Sequence, residues 1–258
     1  MIYGMYLSAT GVMTNSHAQD VISNNLANSE TSGFKKSMAL YTQRQVESKA
    51  MHAANPHDTR FDNLGGGQLL APTAVDFSQG TVERTENPFD VAISGKGFIA
   101  VRDVAGQDRL TRAGELMLDR DGDLITAQGH AVLDKNNRPI RLPGEKQGDL
   151  TIGTDGTIAH ATSTGGREPL ARINLVDSTD PQSVKPIGEN LFKLVGDARL
   201  VPATGTLQSN SIERSNVDTA VELTQLMQTQ RQLEANANMI KFQDATLAKA
   251  VNELGKIS

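Results

Sequence analysis

The carboxyl-terminal part of the chain carries a strict heptad pattern of apolar side chains, which limits what the chain can fold into. From Leu223 the spacing alternates between three and four residues without a slip to Leu254. Such a repeat predicts a long α-helix with an apolar stripe that faces partner helices. This stripe, called the seam below, consists of Leu223, Leu226, Leu233, Ala237, Ile240, Leu247, Val251 and Leu254, and Gln230 and Asp244 interrupt it.

The length of this helix argues against a purely internal role. Ser215-Asn216-Val217-Asp218 is typical of a helix N-terminus, and Gly255 is placed to end the helix. A helix of about 39 residues is roughly 58 Å long. A compact domain of 258 residues is about 36 to 47 Å across. A long core helix within a monomeric domain is the alternative, but we expect other chains to cover the seam and a second apolar set, Ala235, Met239 and Phe242.

The amino-terminal end predicts a second helix, from Ile2 to about Asn28. This stretch has no proline, and its sparse apolar residues recur at helical spacing. Ala9 and Gly11 allow close approach of another helix. Because isolated helices draw most of their stability from packing, we expect the two ends of the chain to need each other and further copies.

The middle of the chain has a different texture. Residues 29–74 are polar and weakly periodic, which indicates an extended connector. From about Val75 to Thr206, short β-type runs alternate with turn signals such as Asp121-Gly122, Asp155-Gly156 and Asn136-Asn137. The predicted strands are 90–93, 97–101, 109–111, 124–126, 131–133 and 171–176. The predicted fold is α+β, with a discontinuous helical coiled-coil domain (1–28 with 212–258), a connector (29–74) and a mainly antiparallel β domain (75–211).

Composition excludes several classes of function. The net charge of −5, the lack of a Lys/Arg run and the absence of Trp argue against nucleic acid as a partner. The chain has no Cys, so thiolate metal sites and cysteine nucleophiles are excluded. Residues 119–123 resemble a calcium loop only superficially, because no Glu follows at the required spacing, and we expect a hairpin turn there. No catalytic or cofactor motif is present, so we predict no enzyme, cofactor or metal site.

One long motif follows the first helix. It consists of Asn24, Asn25, Leu26, Ala27, Asn28, Thr31, Gly33, Phe34 and Lys35. This segment closely resembles the amino-terminal signature of the bacterial flagellar basal-body rod and hook proteins. Two further stretches are similar to the same family: 90–98 with 110–114 resembles the start of its β domain, and 207–218 resembles the segment that leads into its carboxyl-terminal helix. The resemblance therefore covers the chain in order.

The resemblance implies a structural subunit of the basal-body rod, a self-assembling tube in the periplasm that connects the motor and export apparatus to the hook and supports motility. It implies terminal helices that pack as a coiled-coil inner wall, with self, other rod and hook subunits, the export apparatus and ring bushing proteins as partners. Family members are exported by the flagellar type III route without a cleaved signal, and the amino terminus here lacks a signal-peptide pattern. The length and single β domain resemble the distal, or else the proximal, rod protein.

The residues leave a competing hypothesis from another class. A secreted β-domain protein that binds or hydrolyses glycans could also be oligomerised by its own helices. Such a protein would need a concave site with convergent acids or exposed aromatic side chains. With three Tyr, seven Phe and no Trp, a sugar-stacking platform is poorly supplied.

Overall fold

The computed structural model describes residues 2–44, 66–143, 150–161 and 167–254. Two long helices lie at the ends of this range: α1 spans Ile2–Ala27 and α2 spans Thr219–Leu254, with 26 and 36 residues. The strands are β1 (Ser37–Gln43), β2 (Gln68–Val75), β3 (Val82–Arg84), β4 (Val91–Ser94), β5 (Phe98–Arg102), β6 (Asp108–Thr111), β7 (Leu116–Leu118), β8 (Leu124–Thr126), β9 (Ala131–Val132), β10 (Leu150–Ile152), β11 (Thr157–Ala161), β12 (Arg167–Arg172), β13 (Leu175–Ser178), β14 (Val184–Gly188), β15 (Leu191–Leu194), β16 (Leu200–Pro202), β17 (Thr206–Ser209) and β18 (Ser211–Glu213). A 3-10 turn spans Pro181–Ser183. The predicted α+β class is confirmed.

The chain divides into two compact units. The helical unit contains 1–27, 37–74 and 218–258, so it combines α1, α2 and the small sheet of β1 and β2. The β unit contains Asn28–Lys36 and Val75–Val217. This division differs from the predicted one at three places. Residues 212–217 belong to the β unit rather than to the helical domain. The nine residues after α1 belong to the β unit rather than to a connector, and the described parts of 37–74 form paired strands beside α1.

Antiparallel sheets build the β unit. Among the described strands, nine form the largest sheet, in which β14, β15, β6, β5, β9, β8 and β7 follow one another, and β13 bridges β5 and β16. β10, β11 and β12 form a three-stranded sheet, and β17 pairs with β4 and β18 with β3. The predicted turns are confirmed, because Gly122, Asn137 and Gly156 all have positive φ values.

Strand β5 lies where two apolar cores meet. Its alternate side chains point to opposite faces of the sheet, so Ile99 and Val101 join a larger core that includes Phe89, Leu116 and Ile158. Phe98 and Ala100 join a smaller core on the other face, together with Leu110, Leu133 and Phe192. A strand buried on both faces reads as a continuous apolar run, which explains why the sequence signal is clear here.

One predicted strand is wrong in detail. The run 171–176 is divided between β12 and β13, because the chain passes from the three-stranded sheet to the large sheet at Ile173 and Asn174. The amide of Ile173 donates to the carbonyl of Gly156, whereas that of Asn174 donates to the carbonyl of Leu133, both at 2.9 Å. The continuous hydrophobic pattern hides this change of partner.

The start of α2 also differs from the helix N-terminus expected to begin at Ser215. The carboxylate of Asp218 accepts hydrogen bonds from the amides of Ala220 and Val221 at 2.9 and 3.1 Å, so Asp218 is the N-cap. The Ser215 hydroxyl accepts only from the Val217 amide, at 3.2 Å, in the turn before the helix. The helix therefore begins a few residues later than the sequence pattern indicates.

Apolar burial is distributed unevenly between the units. Among the described residues, Ile22 is the one buried hydrophobic side chain of the helical unit, and the other buried hydrophobic side chains all lie between Phe89 and Leu207 in the β unit. The β unit therefore has its own apolar core, and the helical unit has almost none. Burial of apolar surface is the main favourable term in folding.

We expect amide hydrogen exchange on the monomeric protein to reflect this difference. Amides of β5, β6 and β8 should exchange slowly, through global unfolding, whereas amides of α2 between Leu226 and Leu247 should exchange faster by local opening. The amides of β17, which pairs outside the large sheet, are a control within the β unit. Equal protection of α2 and β5 would contradict the prediction.

Candidate assembly site

The predicted seam of α2 lies on two different surfaces of the helix. Leu226, Leu233, Ala237, Ile240 and Leu247 are half-buried. Leu223 and Val251 are exposed, at 46% and 61% of their surface, and the side chain of Leu254 lies outside the described side chains. The inward stripe is completed by polar residues rather than by the rest of the seam: Glu222, Thr229, Asn236 and Gln243 are buried or half-buried. The α1-facing surface of α2 thus alternates apolar and polar layers.

Small residues of α1 lie opposite the polar layers of α2. A Cβ atom added at Gly4 would lie 2.8 Å from the Gln243 side-chain nitrogen, and one added at Gly11 would lie 2.6 Å from that of Asn236. Further along, the Asn25 amide donates to the Glu222 carboxylate at 3.2 Å. Among these contacts, the residue number increases along α1 as it decreases along α2, so the two helices are antiparallel. Glycine lets the backbone of α1 approach these amide side chains closely.

Asn25, in the family-like motif, connects three segments of the helical unit. Its side-chain amide donates to the carbonyl of Ser37 at 2.8 Å, and its side-chain oxygen accepts from the amide of Ser37 at 2.9 Å. Asn25 therefore pairs with the first residue of β1 as a neighbouring strand would, while it also contacts Glu222. Asn25 is 1% exposed and Glu222 is fully buried. This arrangement fixes the start of β1 beside α1.

The second half of the motif folds into the β unit. The carbonyl of Ser32 accepts from the Asn190 side chain at 3.0 Å, and the amide of Gly33 donates to the carbonyl of Glu213 at 2.7 Å. The amide of Lys36 donates to the Asn216 side chain at 2.8 Å. Gly33 has a φ of +67°, and an added Cβ would lie 2.4 Å from the backbone of Arg112. Only glycine fits there, for both conformation and space.

The remaining motif residues are less enclosed. Asn24 and Ala27 are exposed, while Leu26, Asn28, Thr31 and Phe34 are half-buried. The Thr31 amide donates to the carbonyl of Asn28 at 3.2 Å, which closes the turn after α1. One sequence motif thus serves two units, with Asn25 in the helical unit and Ser32 to Lys36 in the β unit.

Lys35 completes a buried ion cluster around Glu213. The ammonium nitrogen of Lys35 lies 2.6 Å from one carboxylate oxygen of Glu213, and the Arg112 guanidinium lies 3.2 Å from the other. All three side chains are at most 3% exposed. The backbone satisfies the remaining groups: Lys35 donates to the carbonyl of Ser78 at 2.7 Å, and the amide of Gly80 donates to Glu213 at 3.0 Å.

The cluster holds two positive charges and one negative charge. Burial lowers the pKa of the Lys35 ammonium below its usual range, and the hydrogen bond that Lys35 donates to Glu213 opposes this shift. Burial likewise lowers the pKa of the Arg112 guanidinium, against the charge of Glu213. Arg112 also donates to the carbonyls of Gly97 and Gly95 at 3.0 and 2.7 Å, and its guanidinium lies 5.5 Å from the Phe98 ring centre. Within the described part of the chain, Glu213 is the carboxylate that contacts both cations directly.

Arg112 and Glu213 were not among the predicted site residues. Both lie in stretches that resemble the family, 110–114 and 207–218, and the sequence offered one signal: a charged residue within a segment of otherwise β-forming character. Their partnership with Lys35 joins positions 35, 112 and 213, and no local pattern reports contacts of that separation.

Other kinds of site are not found in the described residues. No group of three or more His, Asp or Glu side chains within the described ranges is placed to hold a metal ion. None of the described helices is both long enough and apolar enough to cross a membrane.

Three family models match the amino-terminal, middle and carboxyl-terminal regions of the chain. The family model "Flagella basal body rod protein" matches 5–35, "Flagellar hook protein FlgE/F/G D1 domain" matches 92–160, and "Flagellar basal body rod FlgEFG protein C-terminal" matches 208–253. The flagellar basal-body rod protein FlgG of Buchnera aphidicola subsp. Schizaphis graminum is 32% identical over 96% of this chain and 98% of its own length. FlgG of Bacillus subtilis is 28% identical (98% and 99%), and FlgF of Caulobacter vibrioides is 29% identical (98% of each).

Substitution of Gly33 should destabilise the β unit. We expect Gly33→Val to lower the free energy of unfolding by more than about 3 kcal/mol, because a positive φ and a backbone clash act together. Gly106→Val is the matched control, because Gly106 has a φ of +80° but open space around its Cβ position. The control should lose only about 1 to 2 kcal/mol. Urea denaturation measures both, and equal losses would show that Arg112 makes no steric demand.

The charge balance of the ion cluster makes a second prediction. Glu213→Gln leaves two buried cations without a carboxylate and should cost about 3 to 5 kcal/mol of stability. Lys35→Met leaves the neutral Arg112–Glu213 pair and should cost only about 1 to 2 kcal/mol. Thermal or urea unfolding of the two variants compares them directly. A larger loss for Lys35→Met than for Glu213→Gln would mean that Glu213 does not balance both cations.

Proposed function

The chain belongs to the family of flagellar basal-body rod proteins, and from this premise we propose that its terminal helices are the surfaces through which it polymerises. As a member of this family, the protein is a structural subunit of the rod in the bacterial flagellar basal body, where it assembles with other rod and hook subunits. The proposal adds which parts of the chain make those contacts.

The main observation behind the proposal is the exposed apolar surface of the helical unit. Within the described side chains, only Ile22 of this unit is a buried hydrophobic residue. In contrast, many large apolar side chains of the two helices are exposed: Tyr3, Tyr6, Met13, Val221, Leu223, Met227, Met239, Phe242 and Val251. These include two residues of the predicted seam and two of the second apolar set. Exposed apolar side chains that are concentrated on one unit in this way favour an interaction site there.

Assembly supplies what the single chain lacks. Burial of apolar surface contributes about 25 cal/mol per Å², and this contribution becomes available to α1 and α2 when neighbouring subunits cover them. Folding of the helical unit is then coupled to polymerisation, whereas the β unit is stable before assembly. A subunit of this design stays monomeric until neighbouring helices offer matching surfaces.

The seam has a divided role in this proposal. Its half-buried members, such as Leu233 and Ile240, face α1 of the same chain. Its exposed members, such as Leu223 and Val251, contact other subunits. A coiled-coil wall of several helices needs apolar residues on more than one face of each helix.

We also propose further partners and a position in the rod. The export apparatus and the ring bushing proteins are proposed as partners on the resemblance alone. A place in the distal part of the rod is proposed from the length and the single β region. The competing hypothesis of a glycan-binding or hydrolytic protein gains no support from the family, whose members are structural.

The variant Phe242→Asp tests the proposal. Phe242 is 69% exposed, so an aspartate there should leave the monomer folded, with unfolding of the β unit unchanged. In a polymer the buried carboxylate has no partner, so rod assembly and swimming should be lost. Lys249→Asp, one heptad further on, is the control, because it removes no apolar contact.

Electron microscopy of basal bodies from both strains gives the result. We expect basal bodies without a completed rod for Phe242→Asp and normal rods for Lys249→Asp. Complete rods and full motility in the Phe242→Asp strain would show that this face of α2 is not an assembly surface.

A further inference from the structure

The chain crosses between the two units four times, after residues 27, 36, 74 and 217. The β unit therefore has four ends at which its structure can fray, and its residues 28–36 form a short separate segment. One side chain contacts three of these ends. Lys36 is the last residue before one crossing, and Asp76 and Asn216 each lie one residue inside another. Asn216 forms hydrogen bonds to the other two residues.

The Asn216 side chain uses both its acceptor and its donors. Its oxygen accepts from the backbone amide of Lys36 at 2.8 Å, and its nitrogen donates to the carbonyl of Asp76 at 2.9 Å. The same nitrogen lies 3.0 Å from the hydroxyl of Ser78 and 3.2 Å from its carbonyl. The amide of Asp76 also donates to the carbonyl of Lys36, at 2.9 Å. These four residues all belong to the β unit and are called the boundary clamp below.

The boundary clamp adjoins the buried ion cluster. The carbonyl of Ser78 accepts from the Lys35 ammonium at 2.7 Å as well as from Asn216. Lys35 directly precedes Lys36, so release of Lys36 from Asn216 would free the backbone next to the buried ammonium. Loss of Lys35 from the cluster would then remove one of the two cations that contact Glu213.

The helical unit is expected to open more readily than the β unit, because Ile22 is its one buried hydrophobic residue among the described side chains. Each such opening leaves residues 36, 75 and 217 at the ends of the structure that remains folded. Chain ends become disordered unless contacts tie them down. Asn216 supplies such contacts to three ends at once, because an amide side chain offers both an acceptor and two donors.

We propose that Asn216 stops the opening of the helical unit from spreading into the β unit, by holding together the three chain ends that meet in the boundary clamp. The clamp acts within one chain, so it does not depend on the proposed polymerisation. Its consequence is that the ion cluster around Glu213 stays intact in a chain whose terminal helices are open.

Amide hydrogen exchange of the full-length monomer, resolved to single residues, tests the clamp. The reporters are amides whose backbone hydrogen bonds join the segments on either side of it: Gly33, Asp76 and Arg214. In the native chain they should exchange at least about tenfold more slowly than the amides of α2, because they stay closed when the helical unit opens.

The variant Asn216→Ala should affect the two units differently. The reporter amides should exchange at least about tenfold faster than in the native chain, because several hydrogen bonds at the boundary are lost. The amides of α2 should change by less than about twofold, because the opening of the helical unit leaves the clamp closed and so does not depend on its strength.

Two further variants complete the test. Asn174→Ala is the matched control, because Asn174 is also half-buried and its side chain donates to Asn137 at 3.2 Å outside the clamp. It should change the exchange of the reporter amides by less than about twofold. Ser78→Ala removes one hydroxyl contact of Asn216 and should speed the reporter amides about two- to fivefold. This milder change decides the question if Asn216→Ala unfolds the β unit.

Four outcomes would overturn the proposal. If the native reporter amides exchange as fast as those of α2, the boundary is not closed. If neither Asn216→Ala nor Ser78→Ala speeds them, other contacts hold the ends. If the amides of α2 speed up as much as the reporters, the two units open together. If Asn174→Ala speeds the reporters as much as Asn216→Ala does, they report global unfolding rather than opening at the boundary.

Discussion

The carboxylate of Glu213 is the interaction on which the order of the β unit depends. It balances the buried charges of Lys35 and Arg112, and its own backbone carbonyl accepts from Gly33. In this way it ties the segment that follows α1 to the strand that precedes α2. A buried cluster of this kind gives little net stability compared with apolar packing, but it is costly to disrupt. Its contribution is to specify where those two stretches of chain lie within the unit.

The helical unit follows a different physical rule. Its internal contacts are close but largely polar, with Gly4 and Gly11 of α1 against the amides of Gln243 and Asn236. Such contacts align the helices without burying much apolar surface, so they contribute specificity more than stability. Many large apolar side chains, such as Met239 and Phe242, remain on the outside. Under the proposed function, this exposed apolar surface is available for contacts with neighbouring subunits.

The family-like motif after α1 is understood once it is divided between these units. Asn25 aligns α1, β1 and α2, whereas Gly33 and Lys35 fit the following turn into the β unit. The motif is therefore two structural devices in succession, which explains why it contains such different residue types. The Asn25 amide pairs with the backbone of β1, Gly33 adopts a positive φ, and the Lys35 ammonium forms a buried ion pair. Each residue type is required for a different structural reason.

The sequence by itself determined the elements that depend on local periodicity. Heptad spacing from Leu223 predicted α2, short β-type runs such as 97–101 predicted the strands, and Gly122, Asn137 and Gly156 marked turns, because each of these signals acts over a few residues. The sequence did not determine the change of partner at Ile173, because the same apolar run can pair with either sheet. It also did not determine the division of the segment before β1 between the two units.

Only the tertiary structure decided how distant residues meet. It joined Lys35 with Arg112 and Glu213, and Asn25 with Glu222, across separations that no repeat encodes. It also decided which part of the seam faces α1, because Leu226 and Leu223 fit a heptad equally well until the polar residues Glu222, Thr229, Asn236 and Gln243 take the inward positions. Periodicity fixes the spacing of a helical stripe, but the direction that the stripe faces depends on the surface that packs against it.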